Sequence, residues 1–229
     1  MIHHLADHES PAVDAYLNSA LGLEIPELEA GREHAHNAGL PHIEISTAQG
    51  KFLQLLIEIS ASTRVLEIGT LGGYSTSWLA RGVGASGTVI SCEVEPLHAS
   101  VARENLQRAG LSDRVEIRLG DAVGTLDSLI DSRTTPFDLI FIDADKRNNV
   151  AYLQRALKLS RPGTVLVVDN VIRAGKILDD PSQHGLQEAD IRGTQEALLW
   201  LRDSKQVSAT ALQTVGSKGW DGFALARVL

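Results

Sequence analysis

At 229 residues, 43% of them hydrophobic and 22% charged, the chain can bury a large core in one domain, and no apolar run approaches the roughly 20 residues that a membrane span needs. A net charge of −8 argues against an extended polyanion-binding face and leaves Arg32, Lys51, Arg147, Arg173 and Lys176 as candidates for a local basic patch. The single cysteine, Cys92, excludes an internal disulfide and suits a reducing cytoplasm; its apolar neighbours read as those of a small core residue.

The opening residues, Met1 to Pro11, carry His3, His4, Asp7, His8 and Glu9 without an apolar stretch, so no secretory signal is expected. Two helices follow, Pro11 to about Leu21 and Pro26 to about Asn37, each opening on a proline suited to a first helical turn. His34, His36 and His42 place no two rings on one helix face and read as surface or pocket-lining histidines. Ser46-Thr-Ala-Gln49 has the form of a capping box, and Phe52, Leu55, Leu56 and Ile59 recur at helical spacing behind it. Residues 1–60 are thus an added helical layer, and residues 61–229 an α/β core, within a single domain.

Arg64-Val-Leu-Glu-Ile-Gly-Thr-Leu-Gly-Gly-Tyr-Ser75 runs a buried apolar strand into a glycine-rich turn, and a helix leaves from Tyr74 or Ser75. Glu67 interrupts the apolar run; it either frays the strand end or meets a positive partner or several donors. The order Gly69-x-x-Gly72-Gly73 does not fit the G-x-G-x-x-G fingerprint of dinucleotide sites. Read as E-x-G-x-x-x-G-x-S on Glu67, Gly69, Gly73 and Ser75, the stretch resembles the first motif of class I S-adenosylmethionine (SAM) methyltransferases.

Strand and helix then alternate: Thr88 to Cys92 and Glu95 to Ala109, Arg114 to Leu119 and Ala122 to Ile130, Phe137 to Ile142 and Asn148 to Leu159, Thr164 to Val168 and, past a loop, Glu188 to Arg202. Val207 to Thr214 and Phe223 to Val228 lie too close together for a crossover helix and are expected to pair as an antiparallel hairpin. The fold class is therefore α/β, a doubly wound, mostly parallel seven-stranded sheet with a C-terminal hairpin and added N-terminal helices. In such sheets ligands bind beyond the carboxyl ends of the strands, where the chain places Glu67 and Gly69, Glu93, Gly120 and Asp121, Asp143, and Asp169 with Asn170. Glu93, about twenty residues past the glycines, can accept both hydroxyls of a ribose, with Glu95 as its local rival.

If the strands ending at Asp143 and Asp169 are neighbours, the two carboxylates emerge about 5 Å apart and repel each other unless a cation lies between them. With the amide of Asn170 they form an oxygen set suited to Mg²⁺ or a similar hard ion such as Mn²⁺ or Ca²⁺; otherwise Asp169 and Asn170 cap a loop and Asp143 starts a helix. Lys146 stands at a helix start, where a solvated lysine is the plain reading.

Asp143-Ala-Asp-Lys146 followed by Asp169-Asn170 resembles the signature of the cation-dependent O-methyltransferases, the catechol and caffeoyl-CoA O-methyltransferase family, over most of the chain from Ile45 to Gly222. The resemblance implies Asp143, Asp169 and Asn170 as metal ligands, Lys146 as the base, and Ile45, Glu67, Gly69, Thr70, Ser75, Glu93, Asp121, Ala122 and Asp143 as cofactor-binding positions. It also implies a homodimer, and the cytoplasm is the location that the cysteine usage suits. Arg173 and Ala174 stand where the plant coenzyme A-ester enzymes carry Trp and Asn, which aligns the chain with bacterial members acting on small phenolic or catechol acceptors. Trp220 and the loop Leu178 to Gln187 are candidate acceptor walls, Trp220 alternatively packing in the hairpin. A tRNA hydroxyuridine O-methyltransferase and a non-catalytic or dinucleotide-binding α/β domain are the rival readings.

Overall fold

Among the described residues, seven strands make one sheet: β1 (Arg64–Ile68), β2 (Thr88–Glu93), β3 (Val115–Leu119), β4 (Phe137–Ile142), β5 (Ser160–Asp169), β6 (Val207–Gly216) and β7 (Gly219–Val228). Their order is β3-β2-β1-β4-β5-β7-β6; β1 to β5 run parallel, and β7 lies antiparallel between β5 and β6. A computed structural model describes residues 10–229 of the chain, so the expectation about a signal segment, with His3, His4 and His8, lies outside the described residues.

Among the described residues, eight α-helices surround the sheet: α1 (Ser10–Ala20), α2 (Pro26–Asn37), α3 (Thr47–Ile59), α4 (Tyr74–Gly82), α5 (Pro96–Arg108), α6 (Ala122–Asp131), α7 (Asn149–Lys158) and α8 (Glu188–Asp203). Alternation along the strands divides the core in two. Leu66, Ile68, Ile140, Ile142, Leu166 and Val168 pack with α6 to α8, whereas Val65, Val89, Leu139, Phe141 and Val167 pack with α3 to α5. Each large apolar side chain so buried stabilises the fold by about 1.5–3 kcal/mol. Among the described residues, no helix is long and apolar enough to cross a membrane.

The element boundaries correct the sequence reading in three places. β5 begins at Ser160 rather than Thr164, because a register shift between Phe137 and Leu139 admits Pro162 at an irregular stretch of ladder. The helix expected from Asn148 starts as a single 3₁₀ turn, Lys146–Asn148, before α7. Both hairpin strands are longer than expected and meet at Ser217 and Lys218. Strand order reverses between β1 and β4, which places the ligand crevice beyond Ile68 and Ile142.

Candidate active site

Gly69 has φ of +103°, and a Cβ there would lie 2.4 Å from the carbonyl oxygen of Asp143. Only glycine lets the end of β1 approach the end of β4 this closely. Behind the turn, Glu67 is wholly buried and accepts hydrogen bonds from the hydroxyls of Ser75, Thr76 and Ser91. Burial pushes its carboxyl up to about 7 against those donors, which hold it down. Several donors rather than a cation therefore satisfy this acid. It lies outside the cavity wall, where its hydrogen-bonded partner Ser75 does contribute.

Glu93 clasps the glycine turn to the end of β2. Its Oε2 accepts from the backbone N–H groups of Thr70 (3.2 Å) and Leu71 (2.8 Å), and its Oε1 from those of Val94 and Glu95 (both 2.9 Å). Glu95 makes no side-chain cap on α5, and Glu93 of the two lines the cavity. Asp121 caps α6 through the N–H of Gly124 at 2.8 Å and lines the cavity with Ala122, Ile45, Gly69 and Thr70.

Across the crevice, β4 and β5 pair Ile142 with Val168, so Asp143 and Asp169 follow directly from paired residues. Asp169 is 4% exposed; burial and the Asp143 charge push its carboxyl up to about 7, opposed by Lys146, the Asn170 N–H and Gln49. Lys146 Nζ donates to Asp143 Oδ1 at 2.7 Å, and its side chain is 8% exposed. α8 crosses the Lys146 turn so closely that a Cβ on Gly193 would meet the Lys146 carbonyl oxygen at 2.3 Å. Asn170 adopts φ of +57°, an uncommon left-handed turn immediately after β5.

Gln49 is the site residue that sequence reasoning missed. Its backbone N–H completes half of the expected capping box on Ser46 Oγ at 3.1 Å, but its side-chain amide donates to Asp169 Oδ2 at 2.8 Å. The box motif accounted for the residue, so nothing local signalled the second task.

Among the described residues, no three His, Cys, Asp or Glu side chains are grouped to hold a metal. The donor set is instead two acids and an amide lining the cavity, with the Lys146 side chain bonded to one of the acids. When both acids are ionised, a negative charge is left over beside a buried oxygen, and these all-oxygen donors fit a hard divalent cation that retains waters.

One cavity of about 1190 Å³ joins both halves and continues to the hairpin tip, where Asp14, His42, Val215 and Lys218 form its wall. The tip is fastened from two sides: Ser217 N–H donates to Asp14 Oδ2 at 2.7 Å, and Lys218 Nζ to the His42 carbonyl at 3.1 Å. His36 stacks on His42 with centroids 3.5 Å apart, a pairing across the α2–α3 connection that a helix-face test could not find. Trp220 lies outside this wall, bonded to Gln213 and packed at Gly175. Residues 178–187 also lie outside it; that loop is tied to α8 by Gln195.

Three members of the candidate basic patch are paired locally. Arg32 is engaged by Glu29, Thr47 and Tyr74, Arg147 by Asp190, and Lys176 by Gln187.

A family model described as O-methyltransferase matches residues 19–212. A catechol O-methyltransferase from Mycobacterium tuberculosis is 53% identical over 218 residues, covering 95% of this chain and 96% of the relative. The solved O-methyltransferase from Bacillus cereus in complex with SAH is similar with a TM-score of 0.93 and 46% identity, covering 98% of this chain and 100% of that one. The O-methyltransferase TomG from Streptomyces achromogenes, involved in tomaymycin synthesis and solved in complex with SAM, gives a TM-score of 0.91 at 39% identity, covering 98% and 99%.

Proposed function

Because this chain belongs to the O-methyltransferase family and is a SAM-dependent O-methyltransferase, we propose that it methylates a hydroxyl of a small catechol-like or phenolic acceptor in a reaction that needs a divalent cation. One observation carries the reading: Asp143 and Asp169 succeed paired positions of adjoining strands, with Lys146 Nζ 2.7 Å from Asp143, in the cavity that Glu93 and the glycine turn also line. The acceptor class is also that in the name of the M. tuberculosis relative.

Glu93, Thr70 and Gly69 receive the nucleoside end of SAM, and Ser75 with Ile45 its amino acid tail. Asp143, Asp169 and Asn170 would hold Mg²⁺ or a similar ion, which supplies positive charge beside the acceptor oxygens and lowers the pKa of a bound hydroxyl. Lys146, whose Nζ lies 2.7 Å from Asp143 Oδ1, takes the proton of the acceptor hydroxyl, and Asp143 orients it. The acceptor oxygen then bonds to the methyl carbon while the carbon–sulfur bond breaks, its electron pair going to sulfur. The methyl group is already activated, so the chain's main contribution is alignment, worth up to about 7–11 kcal/mol. The net charge of −8 and the local pairing of Arg32 and Arg147 with acids favour this small acceptor over tRNA.

The test is a screen of catechols and monophenols with SAM, run with Mg²⁺ and with chelator, reading methylated product by mass spectrometry. Methylation of catechols that stops in chelator is expected. Undiminished turnover in chelator would remove the metal from the reading; turnover of a hydroxylated tRNA uridine but of no phenol would remove the acceptor class.

A further inference from the structure

Among the described residues, three arginine or lysine side chains line the cavity: Lys146, Arg173 and Lys218. Two have partners. Lys146 is bonded to Asp143, and Lys218 donates to the His42 carbonyl and faces Glu44 Oε1 at 3.9 Å. The guanidinium of Arg173 has neither a hydrogen bond nor an ion pair among the described residues, and its Nε is shielded from solvent without an acceptor. A charged donor left in that condition is costly, and an acidic cavity wall offers many ways to avoid it. The acids do not take it up: Asp190 faces Arg147, Asp14 binds the Ser217 N–H, and Asp221 Oδ1 binds the backbone N–H groups of Ile172 and Arg173.

The backbone under Arg173 is built rather than loose. Arg173 and Ala174 both adopt φ of +55°, a conformation that persists only where the surroundings enforce it. Asp221 accepts the Arg173 N–H at 2.9 Å, and the Trp220 carbonyl accepts the Ala174 N–H at 3.0 Å. The segment follows Asp169 and Asn170 directly, so the unpaired guanidinium stands on the acceptor side of the cavity.

We propose that Arg173 binds an anionic group of the acceptor, and that the enzyme selects catechols carrying a carboxylate over neutral ones. A planar guanidinium matches a carboxylate with two parallel N–H donors, and the bonds are strengthened by charge on both sides. This inference rests on the reading of the cavity as a phenolic acceptor site.

The test compares kcat/KM for 3,4-dihydroxybenzoate and for catechol at saturating SAM in the wild type, Arg173→Gln and Arg173→Lys. The difference in intrinsic reactivity between the two acceptors cancels when the acid-to-neutral ratio is compared across variants. In the wild type the acid is expected to be preferred. In Arg173→Gln the ratio falls by at least about tenfold, the loss residing in KM for the acid, in line with a charge-assisted bond; Arg173→Lys recovers part of it. The dissociation constant of SAM, measured by calorimetry, stays at its wild-type value. A wild-type preference for neutral catechol, or a ratio unmoved in Arg173→Gln, overturns the inference while leaving the phenolic reading intact. An unmoved ratio with weakened SAM binding assigns the guanidinium to the cofactor's carboxylate instead. Turnover of neither acceptor overturns the phenolic reading and this inference together.

Discussion

Replacing Gly69 by alanine perturbs the site at its narrowest backbone contact. The native φ of +103° costs a residue with a side chain about 1–3 kcal/mol. The added Cβ would stand 2.4 Å from the carbonyl oxygen and 2.8 Å from the carbonyl carbon of Asp143. Neither neighbour is a side-chain end that can swing away, and the Asp143 N–H is itself held by the Ile68 carbonyl at 2.8 Å. Relief therefore requires β1 and β4 to part, an overpacking cost of about 1–3 kcal/mol. Together these terms give roughly 2–6 kcal/mol out of a total stability of about 5–15 kcal/mol. At about 2–4 °C per kcal/mol for a chain of this size, Tm falls by roughly 5–20 °C in calorimetry. The fraction that remains folded carries Asp143 displaced by about 1 Å, which lowers turnover roughly a hundredfold. A Gly69→Ala protein that melts with the wild type and turns over normally would refute the close-approach reasoning.

Asp169→Ala is expected to abolish turnover while leaving the SAM dissociation constant little changed, since the proposed reading puts this acid on the acceptor side; calorimetric titration beside an activity assay checks both. Glu93→Ala removes the acceptor of four backbone donors and should weaken SAM binding by at least about tenfold while lowering Tm; an unchanged dissociation constant would separate the clasp from cofactor binding. The Glu67 carboxyl, raised from 4.5 to about 7, holds its proton more tightly in the folded state. Its contribution to stability is therefore complete below pH 4.5 and is lost as pH rises through 7, roughly 3 kcal/mol in all. Glu67→Gln should flatten this slope, so that unfolding curves of variant and wild type converge or cross between pH 5 and pH 8; parallel curves would contradict it.

The parallel strands were legible because apolar runs such as Val65 to Ile68 and Leu139 to Ile142 have few alternatives, and glycine or an acid marks where each one ends. The rule that ligands gather at carboxyl ends predicts Glu93, Asp121, Asp143 and Asp169 around one cavity, and all four line it. Contacts between distant segments were not legible. Gln49 reaches Asp169 across 120 positions, and the approach of Gly193 to the Lys146 turn depends on a helix crossing that no local pattern encodes. Glu67 shows a further limit: its need for donors could be read from burial, but three hydroxyls from β2 and α4 could not be told from a cation. The hairpin tip followed the same rule, since its distance from Asp14 along the chain concealed their contact.

That clasp between Asp14 and Ser217 joins α1 to the tip of the β6–β7 hairpin at the wall of the cavity. On the proposed reading, a helix and an edge hairpin bound the acceptor's opening, while the ends of the parallel strands supply the chemistry. Exchanging α1 together with the hairpin tip between relatives should therefore transplant preference for acceptor size and leave the methyl-transfer step as it was. Changing either extremity alone should break the clasp and transfer nothing.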